Sequence, residues 1–407
     1  MADPAPEGQG GRFFIAYGAA LAGATIAYVP FLAILLPIMV ADLAGEQAKV
    51  AWLAYLTFAG ACSASIAAIA AGWLSDQLKI RVPLVLGGLA LSSVILLAFE
   101  SARSLGALIA LVAAWQAALN LMITPLMAIA GDCVPDHQKG RLGGGLALAP
   151  AAGALATTLV TWPGLASANE RLWLTAGLAA ALVVAGVLLA APRPMPHLTA
   201  PAPRAGASGA AALLASLKSP AVARMWCARL LVQIAQAGLF AFLYFWLRSL
   251  EAGFADAGIA QLYMAVLLVS IPVTLIAGRW SDRSARPLAP LPVLALIAAA
   301  GLVVMALAAT PLVAVSAYTV FALAAAVFLA LHYAQTFRVL TDPARRAEHL
   351  GWFNLANTAP SLIMPWLTLA VEPAFGFAGL FVLLAACALA AAALLARIPA
   401  LPDQNTA

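Results

Sequence analysis

The chain has 407 residues, of which 64% are hydrophobic and 9% charged, with a net charge of +5. Soluble globular chains carry about 25% charged residues, so this one cannot cover a water-facing surface. The excess positive charge comes in small groups between apolar runs, and this spacing argues against a nucleic-acid-binding face.

Membrane helices need about 20 apolar residues, and twelve such runs follow one another. The first six are Phe13–Val40, Val50–Leu74, Val82–Phe99, Leu105–Ala130, Leu142–Pro163 and Leu172–Ala191. The last six are Ala223–Leu247, Ala257–Ala277, Leu288–Ala308, Pro311–Phe337, Leu350–Val371 and Phe375–Ala396. Residues 192–220 between them are rich in Pro, Ala and Gly and read as a linker. The domains expected are residues 1–191, the linker 192–220 and residues 221–407. Residues 1–11 lack a basic stretch followed by a short apolar core, so no cleavable signal is expected. The four cysteines have neither metal-ligand nor disulfide-framework spacing, and read as small buried hydrophobes. No metal, cofactor or nucleotide-binding loop is expected.

Charge orients the runs. With both termini cytoplasmic, fifteen Lys and Arg fall on the cytoplasmic side and four (Lys49, Arg103, Arg171 and Arg248) on the other, while Arg224 and Arg229 open the seventh helix. That asymmetry fits the positive-inside rule and places the protein in a bacterial-type inner membrane.

The two halves echo each other. Gly72-Trp73-Leu74-Ser75-Asp76 closes helix 2, and Gly278-Arg279-Trp280-Ser281-Asp282 closes helix 8. Val134-Pro135-Asp136 with Gly143 precedes helix 5, and Thr341-Asp342-Pro343 with Gly351 precedes helix 11. Two echoes at nearly one offset indicate parallel six-helix repeats. The first loop, Gly72 to Arg81, resembles the signature between helices 2 and 3 of the major facilitator superfamily, G-x-L-(S/A)-D-(R/K)-x-G-R-(R/K). Lys79 stands where that signature has its second glycine. The resemblance implies an all-α membrane protein with twelve transmembrane helices in two six-helix pseudo-symmetric bundles. It also implies a gating cluster of Gly72, Asp76 and Arg81, with Gly278, Asp282 and Arg286 as the second copy. The glycines would allow close helix approach, and the carboxylates would pair with arginines or with a facing helix N-terminus.

Polar side chains inside the bilayer mark candidate substrate contacts, and residues three or four apart share a helix face. Helix 1 offers Tyr17 and Tyr28, and helix 4 offers Gln116 and Asn120. Helix 7 offers Arg229, Gln233 and Gln236, helix 8 offers Gln261 and Tyr263, and helix 10 offers His332, Gln335 and Thr336. Helix 11 offers Asn354, Asn357 and Thr358. In the superfamily, helices 1, 4, 7 and 10 line the cavity. The competing reading of any single amide is interhelical glue. Gly351, Asn354 and Pro360 also resemble the helix 11 pattern of glycoside and sucrose permeases.

Amides, hydroxyls and aromatic walls suit a neutral polyol. The expected function is therefore a carrier of a small polar solute, a sugar or glycoside first, and the resemblance implies a monomer working by alternating access. Efflux of a drug or metabolite is the alternative. No carboxylate sits in the middle of a span, so either His332 or Asp132 carries protons in a coupled cycle or the protein is a facilitator. A membrane enzyme would need a constellation from Asp132, Asp136 and His197, whose spacing is unrecognisable. A channel or receptor would not need the duplicated gate.

Overall fold

Backbone groups in hydrocarbon have no water to bond, so apolar runs close their hydrogen bonds internally as helices. The computed structural model describes residues 8–135, 138–195, 220–251, 253–283, 288–339 and 346–398. Within these the side chains of 139–141, 143–148, 282–283, 333–334, 337–339, 346–355 and 357 are not described. No strand occurs among the described residues.

In chain order the α-helices are α1 (Gly11–Ile26), α2 (Leu36–Leu78), α3 (Arg81–Ala98), α4 (Leu105–Cys133), α5 (Lys139–Val160) and α6 (Ala168–Ala190). They continue as α7 (Pro220–Leu250), α8 (Asp256–Arg283), α9 (Pro290–Leu307), α10 (Pro311–Val339) and α11 (Arg346–Ala396). Nine helical stretches among the described residues are long and apolar enough to cross a membrane. Two of them are interrupted, one at Gly45 and one at Gly376. Together with α5, whose described side chains give the shorter apolar stretch Ala149–Val160, they are consistent with twelve crossings.

The first and last connections are shorter than the sequence suggests. In place of loops at residues 41–49 and 372–374, two helices meet at a sharp kink, at Gly45 and at Gly376. Each kink is a single glycine of positive φ, Gly45 (φ 68) and Gly376 (φ 62). Glycine takes this conformation without the steric cost of a Cβ. Lys49, expected in a loop, is helical and pairs with Glu46 one turn back.

Other helix ends have local causes. Ser104 caps α4 by accepting from the Ala107 N–H at 3.3 Å. Ser167 and Glu170 form a capping box at α6, with the Ser167 N–H donating to Glu170 Oε2 at 2.7 Å. Pro30 lacks an amide donor. The chain turns at Ala27–Tyr28 just before it, then runs as a π-helix over Phe31–Leu35, with the Leu36 N–H reaching the Phe31 carbonyl.

Two compact units result. Unit 1 is residues 1–204 with 255–264, and unit 2 is residues 205–254 with 265–407. In unit 1, α1 packs on α5 and α6, α2 on α4, and α3 on α4 and α6. Arg171 Nη1 meets Asp256 Oδ2 at 3.2 Å in the same unit. In unit 2, α7 packs on α10 and α11, and α9 on α10 and α11. Outward faces carry large apolar side chains such as Ile66, Ile69, Trp73, Leu275 and Ile276, as a bilayer-facing surface requires.

Small residues set the closest helix contacts. A Cβ on Gly88 of α3 would lie 2.4 Å from the Met122 amide nitrogen of α4. One on Gly301 of α9 would lie 2.9 Å from the Phe321 nitrogen of α10, so both units use the same device. Gly23 of α1 and Gly186 of α6 face each other's helix in the same way. Gly186→Ala would drive its methyl to 2.5 Å from the Ala20 nitrogen, and overpacking of this kind costs about 1–3 kcal/mol. Gly177, on the same helix, has open space around it. Thermal unfolding in detergent should show a lowered midpoint for Gly186→Ala and an unchanged or raised one for Gly177→Ala.

Candidate functional site

At the end of α2 the chain turns sharply into α3. Lys79 takes the left-handed conformation (φ 55, ψ 23), and its N–H closes on the Ser75 carbonyl at 3.0 Å. The superfamily signature has a glycine here, and the geometry explains why: an L-residue pays about 1 kcal/mol in this region. The turn brings Arg81, the first residue of α3, back over the end of α2. Arg81 Nη1 pairs with Asp76 Oδ1 at 2.7 Å and donates to Ser75 Oγ at 2.6 Å. Arg81 Nε pairs with Asp132 Oδ2 of α4 at 2.9 Å.

One guanidinium thus ties three helices. The Arg81 and Asp132 side chains are 18% and 19% exposed, whereas Asp76 is 71% exposed. Asp132 is therefore the sheltered partner. Its carboxylate, a proton-coupling candidate in the sequence, is Arg81's ion-pair partner in the structure. The Arg81–Asp132 pair, 51 residues apart, was not foreseen, although both lie at the basic ends of their helices. Asp76 pairs with Arg81 within unit 1.

Among the described residues, a Cβ on Gly72 would meet Thr124 Cγ2 at 3.5 Å, and one on Gly278 would meet Leu331 Cδ2 at 4.0 Å. Both are ordinary contacts, looser than those at Gly88 and Gly301. In the second copy of the motif Ser281 is fully buried like Ser75. It accepts from Gln335 Nε2 at 2.8 Å. The Asp282 side chain and Arg286 lie outside the described residues.

The membrane-embedded polar residues sort into two sets. His332, Gln335 and Thr336 of α10 are 0%, 2% and 1% exposed. His332 Nε2 lies 2.9 Å from the Met225 carbonyl of α7. That carbonyl can only accept, so Nε2 carries the hydrogen and Nδ1 presents its lone pair. Arg229 Nη1 approaches this Nδ1 at 3.5 Å, and Thr336 Oγ1 at 3.4 Å. A second proton on the ring would set an Nδ1–H against the guanidinium N–H. The geometry thus makes His332 a hydrogen-bonded link that joins α10 to α7. Gln335 and Thr336, expected at substrate, are sealed among helices, Thr336 Oγ1 donating to the His332 carbonyl at 2.8 Å. Arg229, 7% exposed, belongs to this buried set. Tyr17 does too, its hydroxyl donating to the Leu126 carbonyl of α4 at 2.8 Å.

The other set is accessible. Tyr28 sits half-buried at the α1 break, and Gln116 and Asn120 of α4 are half-buried. Asn120 Nδ2 donates to the Gln116 carbonyl at 2.9 Å, and Gln116 packs beside Gly60 of α2. In unit 2, Gln233 and Gln236 of α7 are also half-buried. The side chains of Asn354 and Asn357 lie outside the described residues.

Long apolar helices, duplicated glycine contacts and a charged α2–α3 turn define a polytopic membrane protein with two related helical units. The sequence matches the model of the Major Facilitator Superfamily over residues 13–365. The chain belongs to that superfamily and is a multi-pass membrane transporter. No curated protein matches the sequence. Among solved structures it is similar to a mutant of the nucleoside transporter NupG, with 12% identity and a TM-score of 0.73, covering 95% of this chain and 100% of that one. It is similar to the xylose transporter XylE from E. coli in a partially occluded inward open conformation, with 14% identity and a TM-score of 0.68, covering 95% and 98%. It is also similar to a bacterial homologue of the human lysosomal transporter Spinster, with 14% identity and a TM-score of 0.67, covering 95% and 93%.

Two outcomes follow from the α2–α3 turn. Lys79→Gly should raise the unfolding midpoint, relieving about 1 kcal/mol of left-handed strain. Asp132→Asn should lower it by the equivalent of about 1–3 kcal/mol, as for a charged hydrogen bond, while Asp76→Asn stays within about 1 kcal/mol of the parent, as for an exposed pair. Parallel thermal melts of the three variants check both.

Proposed function

We propose that the protein carries a small uncharged solute rich in hydroxyls, a sugar or glycoside foremost, across the inner membrane by alternating access. Both termini lie on the cytoplasmic side in this reading, which rests on the asymmetry of Lys and Arg. The observation that carries the substrate class is the accessible amide set: Gln116 and Asn120 on α4, and Gln233 and Gln236 on α7. Neither helix has a carboxylate in its middle. Amides offer donor and acceptor together, which matches hydroxyl groups and leaves no fixed charge for a cationic solute. The nucleoside and xylose transporters among the similar structures support a hydroxyl-bearing solute.

The Arg81 cluster and its counterpart at the end of α8 are proposed to gate access, as the superfamily motif implies. Uniport is the simplest cycle for these residues, because His332 Nδ1 and the Asp132 carboxylate each face an arginine.

Counterflow in liposomes needs no coupling gradient and tests the reading directly. Labelled mono- and disaccharides and nucleosides should reveal exchange of at least one sugar, with no proton movement on an internal pH dye. Gln116→Ala or Gln236→Ala should slow that exchange at least about tenfold, the loss expected when a buried polar group of the solute is left unpaired. Absence of exchange with every sugar would sink the substrate class, and proton movement in step with exchange would sink the uniport.

A further inference from the structure

The end of α4 has no glycine to fold its last carbonyls inward. The C-cap residue Val134 is extended (φ −111, ψ 111), and its N–H returns only to the Ala130 carbonyl. The carbonyls of Asp132 and Cys133 would be left without partners, as at any helix terminus. Two segments remote in sequence supply them. The Met195 N–H, at the head of the linker, donates to the Asp132 carbonyl at 2.8 Å. Gln9 Nε2, from the segment before α1, donates to the Cys133 carbonyl at 2.9 Å.

Gln9 is itself clamped. Its backbone N–H donates to Gln138 Oε1 at 2.7 Å, and Gln138 Nε2 donates back to the Gln9 carbonyl at 3.2 Å. Gln138 is fixed in turn, its N–H bonding the Pro135 carbonyl at 2.9 Å. The neighbouring Gly8 passes so close that a Cβ there would collide with the Gln138 amide. The result is a two-way amide bridge spanning 129 residues, laid across the helix end whose Asp132 holds Arg81.

We infer that segment Gly8–Gly10 and the head of the linker form a strap that sets the end of α4 and so positions Asp132 for Arg81. Gln9 and Gln138 are positioning residues of the gate. The inference rests on the gating role proposed above for the Arg81 cluster. Asp132 is held at both ends, with its carboxylate on Arg81 and its carbonyl on Met195. Met195 lies within the linker of residues 192–220 that leads to the second half.

The full chain, with its four cysteines replaced by alanine and spin labels at Gln77 and Ala396, reports the separation of the two halves by pulsed electron resonance in nanodiscs. Gln9→Ala and Gln138→Ala should each change the ratio of short- to long-distance populations about fivefold, the effect of one net hydrogen bond, in the same direction as Asp132→Asn. Gln138→Glu keeps an acceptor for the Gln9 N–H and should recover part of the parental ratio, which a general loss of packing would not do. If Gln9→Ala and Gln138→Ala keep the parental ratio while Asp132→Asn shifts it, the strap is refuted and the gate reading survives. If Asp132→Asn also leaves the ratio unchanged, the gate reading falls and takes the strap with it.

Discussion

A peptide group in hydrocarbon must find its hydrogen bond inside the protein, and the architecture of this chain follows from that constraint. Apolar runs become helices because only a helix closes its own backbone bonds. Departures from the helix are therefore few and compensated. At Pro30 the lost donor is absorbed by a turn and a π-helical stretch. At Gly45 and Gly376 a single glycine of positive φ kinks the chain between two helices. At the end of α4, which lacks a glycine cap, the open carbonyls recruit donors from Gln9 and Met195. Hydrogen-bond closure thus brings Gln9 and Met195 onto the end of α4.

Lipid tails are as apolar as leucine, so burial of apolar surface does not by itself pull one membrane helix onto another. Close packing and hydrogen bonds take over. Gly23, Gly88, Gly186 and Gly301 let helices meet backbone to backbone. Tyr17, His332, Gln335 and Ser281 bond across helices in places fully closed to solvent. Polar residues in the spans therefore serve two purposes. Those of α10 hold a bundle together, while those of α4 and α7 are half-buried and are proposed above to meet the solute.

The two arginine clusters show how burial decides the role of a charge. Arg81 lies near the aqueous edge and gathers two carboxylates. Arg229 lies deeper, against the unprotonated nitrogen of His332. Chain position alone does not separate these cases, since both residues follow short polar or basic stretches. The accessible set of half-buried amides and the buried α10 set are likewise indistinguishable in sequence. Both appear as polar residues three or four apart in an apolar run, and exposure is a property of the neighbours that each helix acquires.

Helix type, the approximate positions of the spans and the duplicated Gly-x-x-x-Asp ends of helices 2 and 8 were legible in the sequence, because each depends on local composition and period. The turn residue Lys79 was identifiable as standing in a glycine's place, and the structure supplies the left-handed φ that explains the glycine. The Arg81–Asp76 pair was expected from the resemblance to the superfamily signature, and the structure shows it. What the tertiary structure alone decided were the partners distant in sequence: Asp132 for Arg81, Met225 for His332, Gln138 for Gln9. It also showed the close helix contacts at Gly88 and Gly301. Hydrophobicity and hydrogen-bond closure act along a single helix and can be read from it, whereas side-chain pairing and steric contact arise only when one helix meets another.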